Sequence, residues 1–269
     1  MQKNWPDIRI LNDQSNFWHF AYAWKFHTEE VNSKLHGDWM LKNILDGHGK
    51  LLDMYASSFF YLIDNGLRSM EDPSFGGWGG RFGVVNDKLF RNNVLDYDPY
   101  TKRYEAEYSL MRWFDDIQND FAARADWAVA DTFEAANHNP SLTIKEGLDL
   151  SVSPGEKITL HAEGKDPDGD QLTYKWWRYF EADTYKDSNV QEEKVQPEMA
   201  GDLQLGLHRE LAKGEKLDTI QLEGSDTDAV SFNVPDDAKS GDTIHIVAEV
   251  QDDGEHQLKH YQRVILTVK

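Results

Sequence analysis

The sequence predicts an α/β segment over residues 1–136 joined to an all-β sandwich over residues 137–269. Three observations predict it: a period-two apolar pattern that recurs after Pro140, turn residues between those runs, and a mixed, more helical pattern before Ala136.

The sandwich is read from its strands. Ile158, Leu160 and Ala162 alternate with polar neighbours, as do Ile244, Ile246, Ala248 and Val250, and then Val264, Leu266 and Val268. A period of two over several short runs describes half-buried strands that face one core. Pro154-Gly155, Asp166-Pro167-Asp168-Gly169-Asp170, Ser240-Gly241-Asp242 and Asp252-Asp253-Gly254 punctuate the runs. They supply proline's fixed φ, glycine's tolerance of positive φ, or an Asp carboxylate that bonds its own backbone. This pattern predicts an immunoglobulin-like arrangement of two packed sheets. Leu172-Thr173-Tyr174-Lys175-Trp176-Trp177 reads as the central strand, and alternation requires one tryptophan to face the core and the other to face outward. Between Arg178 and Lys216 the alternation is lost, which predicts an insertion or irregular crossover.

In the N-terminal segment, Val31, Leu35, Trp39 and Ile44 recur at roughly helical spacing before Gly47. A stronger helix is predicted after Ser109 as N-cap, with Leu110, Trp113, Phe114, Ile117, Phe121 and Ala125 inward and Asp115, Asp116, Asn119 and Arg124 on a solvated face. The best strand candidates are Ile8–Leu11 and Phe59–Ile63. So few strands make a poor independent α/β domain, and the segment reads as incomplete.

Composition excludes several functions. With 48 acidic and 28 basic residues the net charge is −20 and no basic stripe exists, so nucleic acid is not an expected partner. There is no cysteine, which excludes disulfides, thiolate catalysis and cysteine-bound zinc. No run reaches the roughly 18 apolar residues of a membrane span, and the first residues show no signal-peptide pattern.

Candidate chemistry is sparse. In Phe75-Gly76-Gly77-Trp78-Gly79-Gly80-Arg81-Phe82, glycines let backbone approach something closely. Trp78 and Arg81 could form a platform for a sugar ring, or Trp78 could close the core while Arg81 bonds to carbonyls. Trp177, Tyr179, Phe180 and Tyr185, at or just beyond the central strand, are the aromatics suited to sugar C–H faces, with packing as the other reading. Asp166, Asp168 and Asp170 place three carboxylates in one turn that could take calcium. The spacing begins like an EF-hand loop, but the twelfth position is Trp177, and turn chemistry also accounts for them. His19, His27, His36 and His48 show no zinc-ligand spacing. Asp115 and Asp116, adjacent on a helix, do not face one reacting atom, so no catalytic residue is assigned.

Several stretches, in chain order, carry a family resemblance. They are Lys3-Asn4-Trp5-Pro6-Asp7-Ile8, Gly47-His48-Gly49, Tyr61–Leu67, Gly76–Phe82, Gln118–Trp127 and Ala136-Asn137-His138-Asn139-Pro140, followed by the Asp166 turn and Trp176–Tyr179. Together they resemble a cellulose-binding family of bacterial proteins in which a nucleoside-hydrolase-like domain precedes an immunoglobulin-like domain. This chain is similar to the C-terminal part of that plan. The resemblance implies an α/β hydrolase-like fold for residues 1–136, calcium-assisted hydrolysis of N-glycosyl bonds, association with plant polysaccharide, and an extracellular or periplasmic location. Two departures qualify it. The family's opening aspartate cluster has no counterpart, and Tyr55-Ala56-Ser57-Ser58 stands where the family shows Glu-Gly-Asp-Thr-Pro-Ser. The expectation is therefore a polysaccharide-binding protein that is inactive as an isolated chain, with Trp78, Arg81, Trp177 and Tyr179 as its binding candidates. The alternatives are a hydrolase subunit completed by a separate N-terminal chain, and a structural spacer. Apolar faces left uncovered on the N-terminal segment would favour self-association.

Overall fold

A computed structural model describes residues 8–12, 33–34, 37–40, 42–43, 57–186, 194–200 and 203–269. The Lys3 and Gly47 motifs, the four early histidines, and most of the predicted Val31–Ile44 helix lie outside the described residues.

The expected strands form two sheets around a shared core. One has the order β12 (Ala229–Asn233), β8 (Lys157–Lys165), β6 (Ser141–Ile144). The other has the order β7 (Asp149–Val152), β14 (Lys259–Val268), β13 (Thr243–Asp252), β9 (Leu172–Arg178), so β9, expected as the central strand, lies at the edge of its sheet and pairs among the described residues with β13 alone. Alternate residues meet between them: Leu142, Leu160, Val230, Phe232, Trp176, Ile244, Ile246, Val264 and Leu266 share one apolar cluster. Trp176 is the inward tryptophan, and its indole N–H donates to the Thr227 carbonyl at 3.0 Å.

The outer face of the second sheet departs from the half-buried expectation. His245, Val247, Tyr261 and Arg263, which alternate with the inner-face residues, are also buried. The N-terminal segment covers them: Phe60, Leu67, Trp78, Leu110, Trp113 and Ile117 pack with Tyr179, Val247 and Tyr261 in a second core. Asn65 and Gly66 run along the strand itself, accepting from the backbone N–H groups of Tyr261 at 2.9 Å and Arg263 at 3.1 Å. Gly66 has φ +88°, and a Cβ there would lie 1.8 Å from the Tyr261 carbonyl oxygen, so glycine is required by both torsion and space.

Among the described residues the N-terminal segment holds little of an α/β sheet. Strand β1 (Ile10–Asn12) pairs in parallel with β3 (Leu89–Arg91), which pairs with β2 (Gly83–Asn86). Short helices occupy Gly37–Met40 (α1), Ser57–Leu62 (α2) and Tyr108–Met111 (α3), ahead of the long helix Phe114–Val129 (α4). The Phe59–Ile63 run is thus helical rather than extended, an ambiguity inherent in short apolar runs. Ser109 does not cap α4. It lies in α3, where its hydroxyl donates to the Ala106 carbonyl, and the N-cap position of α4 is Trp113. The buried face of α4 also includes Gln118, Asn119 and Asp120, so part of the predicted solvated face is interior.

The polar stretch after Arg178 is also more regular than expected. Strands β10 (Gln196–Ala200) and β11 (Leu203–Glu210) form a hairpin, and β11 pairs with β5 (Arg103–Glu105), itself paired with β4 (Asp96–Asp98). The insertion therefore reaches back across residue 136 and completes a sheet with the N-terminal segment.

Candidate functional site

This mixed sheet walls one side of a cleft of about 400 Å³. Strand β9 ends at Arg178, and the Tyr179 N–H donates to the His245 carbonyl at 2.9 Å. The chain then turns, with Ala182 N–H donating to the Tyr179 carbonyl at 2.9 Å, and Phe180 and Glu181 line the cleft. Tyr104 of β5 and Arg209 of β11 also line it, with Glu215, and the Arg209 guanidinium stands 3.9 Å from the centre of the Tyr104 ring.

Most charges lining the cleft are committed to partners. Arg209 grips Glu215 with two N–H groups, at 2.8 and 2.9 Å, and the Tyr104 hydroxyl donates to the same carboxylate at 3.0 Å. Although burial opposes its charge, these donors and the Ala212 N–H hold the Glu215 carboxyl below its ordinary range. Arg178 bonds Asp183 at 2.7 Å and Asp218 at 2.9 Å. Glu181 is only half engaged. Its side chain is 3 % exposed; one oxygen accepts from the Tyr97 N–H at 3.1 Å and pairs with Arg112 at 3.6 Å, and the other is buried with no hydrogen-bond partner among the described residues. Burial raises its carboxyl, with Arg112 pulling the other way. A cleft bounded by a half-buried Phe180 ring and the phenols of Tyr104 and Tyr185 can present an apolar face to a polyhydroxy ligand, while the unsatisfied Glu181 oxygen lies enclosed behind it.

Of the residues expected to bind sugar, Arg81 reaches the cleft lining, but its guanidinium serves the interior: Nε donates to Asp96 at 2.7 Å and Nη2 to the Leu95 carbonyl at 2.9 Å. Trp78 is 2 % exposed and Tyr179 0 %, so neither ring offers a face for stacking. The Tyr179 hydroxyl instead donates to Asp96 at 2.6 Å. Burial works against the Asp96 charge, yet Arg81 and Arg112 keep its carboxyl low. Trp177 is half-buried on the outer face of the sheet, 5.8 Å from Trp113 between ring centres, with Arg112 5.1 Å from its own. Trp78, Arg81 and Tyr179 are thus enclosed in this packing and have no ring face or free cation to offer a sugar, whereas Trp177 keeps part of its surface open. Phe180 and Tyr185, their neighbours in sequence, line the cleft instead. Tyr104, Arg209 and Glu215 carried no sequence signal, since two of them fall in the stretch that reads as a polar loop.

Two of the three turn aspartates have separate tasks. One oxygen of Asp166 accepts from the N–H groups of Asp168, Gly169 and Asp170, and Asp168 accepts from His138 N–H at 2.7 Å. One Asp166 oxygen thus forms the turn and Asp168 links it to His138, while the other Asp166 oxygen is buried with no hydrogen-bond partner among the described residues. Asp115 and Asp116 also part ways: Asp115 pairs with Lys34, while Asp116 accepts from the Tyr261 hydroxyl at 2.5 Å and pairs with Lys259 at 3.0 Å inside the junction.

A second aromatic feature lies after α4. The Phe133 ring, on a residue 53 % exposed, stacks on His138 at 3.7 Å and 3°, and His138 stacks on Trp127 at 5.4 Å and 10°. Leu62, Val84 and Val85 of the N-terminal segment are also exposed. No helix among the described residues is long and apolar enough to cross a membrane.

Comparison with known proteins places these features in a wider setting. Residues 157–268 match the C-terminal domain of the cellulose-binding protein Sde0182, and residues 1–82 match the nucleoside hydrolase-like domain of cellulose-binding Sde182. A solved structure of a nucleoside hydrolase-related hypothetical protein from Saccharophagus degradans, described as associated with carbohydrate metabolism, is similar in fold. It shows a TM-score of 0.65 and 24 % identity over 99 % of this chain. This chain spans 59 % of that protein's length. The third ScaB cohesin of R. flavefaciens, solved with a group 1 dockerin, aligns over 48 % of this chain and 94 % of its own at 14 % identity and a TM-score of 0.19, too slight a likeness to bear on the fold. No curated protein matches the chain.

Proposed function

We propose that this chain, which matches the two domains of the cellulose-binding Sde0182 family in their order, binds carbohydrate through the cleft beside Phe180. In this reading residues 137–269 are an immunoglobulin-like module and residues 1–136 part of a nucleoside hydrolase-like domain. The observation that carries the proposal is the cleft itself, lined by the half-buried Phe180 ring together with Tyr104 and Tyr185. A sugar offers the matching group, a C–H face for the ring. Calorimetry with soluble cello-oligosaccharides tests it. Phe180→Ala should weaken binding about tenfold, or ~1.4 kcal/mol, and no heat from the unmodified chain with any soluble glucan would sink the proposal.

The Phe133 stack supports a second reading, for insoluble polysaccharide, because an exposed flat ring backed by two others suits a flat surface. Sedimentation with microcrystalline cellulose separates the two: loss of pull-down in Phe133→Ala but not in Phe180→Ala favours the stack. As an isolated chain the protein is proposed to release no base from nucleosides. The Glu215 carboxylate of the cleft is already engaged by Arg209, Tyr104 and a backbone N–H. Measurable nucleoside cleavage by the purified chain would contradict this.

A further inference from the structure

The cleft lies at one end of the β9 strand; the end of α4 and the β13–β14 turn carry a different chemistry. Asp126, in the last turn of α4, and Glu255 and His256, in the turn between β13 and β14, bring one ligand atom each to within 4.8 Å of one another. His256 Nε2 lies 2.7 Å from Asp126 Oδ2, with the two side chains 9 % and 26 % exposed.

We propose that Asp126, Glu255 and His256 form a binding site for a zinc-class divalent ion that fastens helix α4 to the β13–β14 turn. One imidazole with two carboxylates is a donor set for borderline first-row metals, whereas calcium and magnesium select oxygen alone. Three protein ligands leave a tetrahedral ion its fourth position for water.

Independent features favour a cation here. Asp126 sits at the C-terminal end of α4, where the carbonyl ends of the helix already carry partial negative charge and where no basic side chain occurs in the last turn. Glu255 adds a second carboxylate to the same spot. The neighbouring turns add Asp166, Asp168, Asp170, Asp252 and Asp253. Burial pushes the Asp252 carboxyl up to about 6, with Asp166 contributing, and partial desolvation together with Asp166, Asp253 and Asp168 raises that of Asp170. This end of the molecule thus concentrates negative charge around the trio, which raises the local concentration of cations.

The turn is also held in place for the task. Asp252 accepts from the N–H groups of Gly254 at 3.1 Å and Leu258 at 3.0 Å, and the Glu255 carbonyl accepts from the Asn137 amide at 2.7 Å. On the other side, the Trp127 indole donates to the Asn137 carbonyl at 2.6 Å, so the same asparagine braces α4 and the turn together. Binding would replace the His256–Asp126 hydrogen bond: the imidazole Nε2 lone pair and a carboxylate oxygen each bond the metal, and any Nε2 proton moves to Nδ1 of a neutral ring or, from an imidazolium, to buffer.

Calorimetric titration of the whole chain with zinc chloride tests the site, with calcium chloride alongside. One zinc per chain is expected beyond any weak binding by the chain's other histidines, with an affinity at least tenfold lower in His256→Ala and in Glu255→Gln. Zinc should raise the melting temperature of the unmodified chain and leave that of His256→Ala unchanged, because an ion bound only to the folded state stabilises it. The exposed Glu255 makes its variant the safeguard should His256→Ala fail to fold. Stoichiometric zinc binding of equal affinity in both variants, or none by the unmodified chain, would overturn the assignment. Calcium bound at the same residues in preference to zinc would also overturn it.

Discussion

The two faces of the β7–β14–β13–β9 sheet are both interior, yet they are built from different materials. The inner face meets the other sheet through Leu160, Val230, Ile244, Ile246, Val264 and Leu266, aliphatic groups that need only fill space. The outer face meets the N-terminal segment through Trp113, Tyr179, Tyr261, Arg263 and His245, where almost every polar atom must find a named partner. Arg263 illustrates the difference. It is fully buried, and donates to the carbonyls of Leu67 at 2.8 Å and Gly76 at 2.9 Å, with His245 Nδ1 at 3.1 Å from its third nitrogen. Burial lowers its guanidinium to about 10. An apolar core tolerates exchange of one aliphatic for another; a polar interior ties its geometry to particular residues, because each lost partner leaves a buried group unsatisfied.

The comparison can be broken most sharply at Gly66. Gly66→Ala pushes a methyl into the Tyr261 carbonyl and strains a positive φ, so it should cost about 4 kcal/mol and detach the outer face while the inner one persists. Two separate thermal transitions, where the unmodified chain shows one, would report it. Leu160→Ala should cost about 3 kcal/mol by leaving a cavity in the aliphatic core, with a denaturant midpoint shift that is indifferent to ionic strength. Tyr261→Phe keeps the ring but removes the hydroxyl that donates to Asp116, for a loss of about 1.5 kcal/mol in the same measurement.

The smallest effect at neutral pH is expected for His245→Gln, which preserves an acceptor for Arg263 but cannot titrate. Burial, then Arg263, Arg68 and Arg81, depress the His245 imidazole from 6.5 to about 2. Between those values the unfolded chain takes up a proton that the folded one refuses. The contribution is therefore fully present above pH 6.5 and is lost as pH falls, at up to about 1.4 kcal/mol per pH unit. Asp183, which accepts from the His245 backbone N–H at 2.7 Å, titrates in both proteins and cancels from the difference. The unmodified chain should lose melting temperature faster than the variant on acidification below pH 6.5; parallel curves would mean that His245 is protonated in place.

The inner face was legible in the sequence because aliphatic alternation is a local signal: Ile244, Ile246, Ala248 and Val250 mark their own burial, and the two tryptophans of β9 divide as alternation requires. The outer face was not, because His245, Arg263 and Asp116 look like solvated positions. Their burial depends on partners 60 or more residues away, such as Asp183 for the His245 backbone and Leu67 for Arg263. The cleft was half legible. Phe180 and Tyr185 follow β9 and belong to a residue type suited to sugars. Arg209 and Glu215 acquire a position only when β11 pairs with β5, a long-range event that no local pattern announces. The glycine loop likewise signalled close approach correctly, but what approaches is the protein: the side chain of Tyr179 at Gly76 and the backbone of Tyr61 at Gly79.

The hydrogen bond from Arg263 to the Leu67 carbonyl joins residues 196 apart in the chain. During synthesis, β14 leaves the ribosome long after Leu67, Trp78 and Trp113 have done so. Those residues must wait for the surface on which they finally rest, while the inner core also lacks Val264 and Leu266. Closure of both cores therefore hangs on a single late strand, and folding of the whole chain should be gated by its arrival, with Trp78 and Trp113 the fluorophores that report the moment.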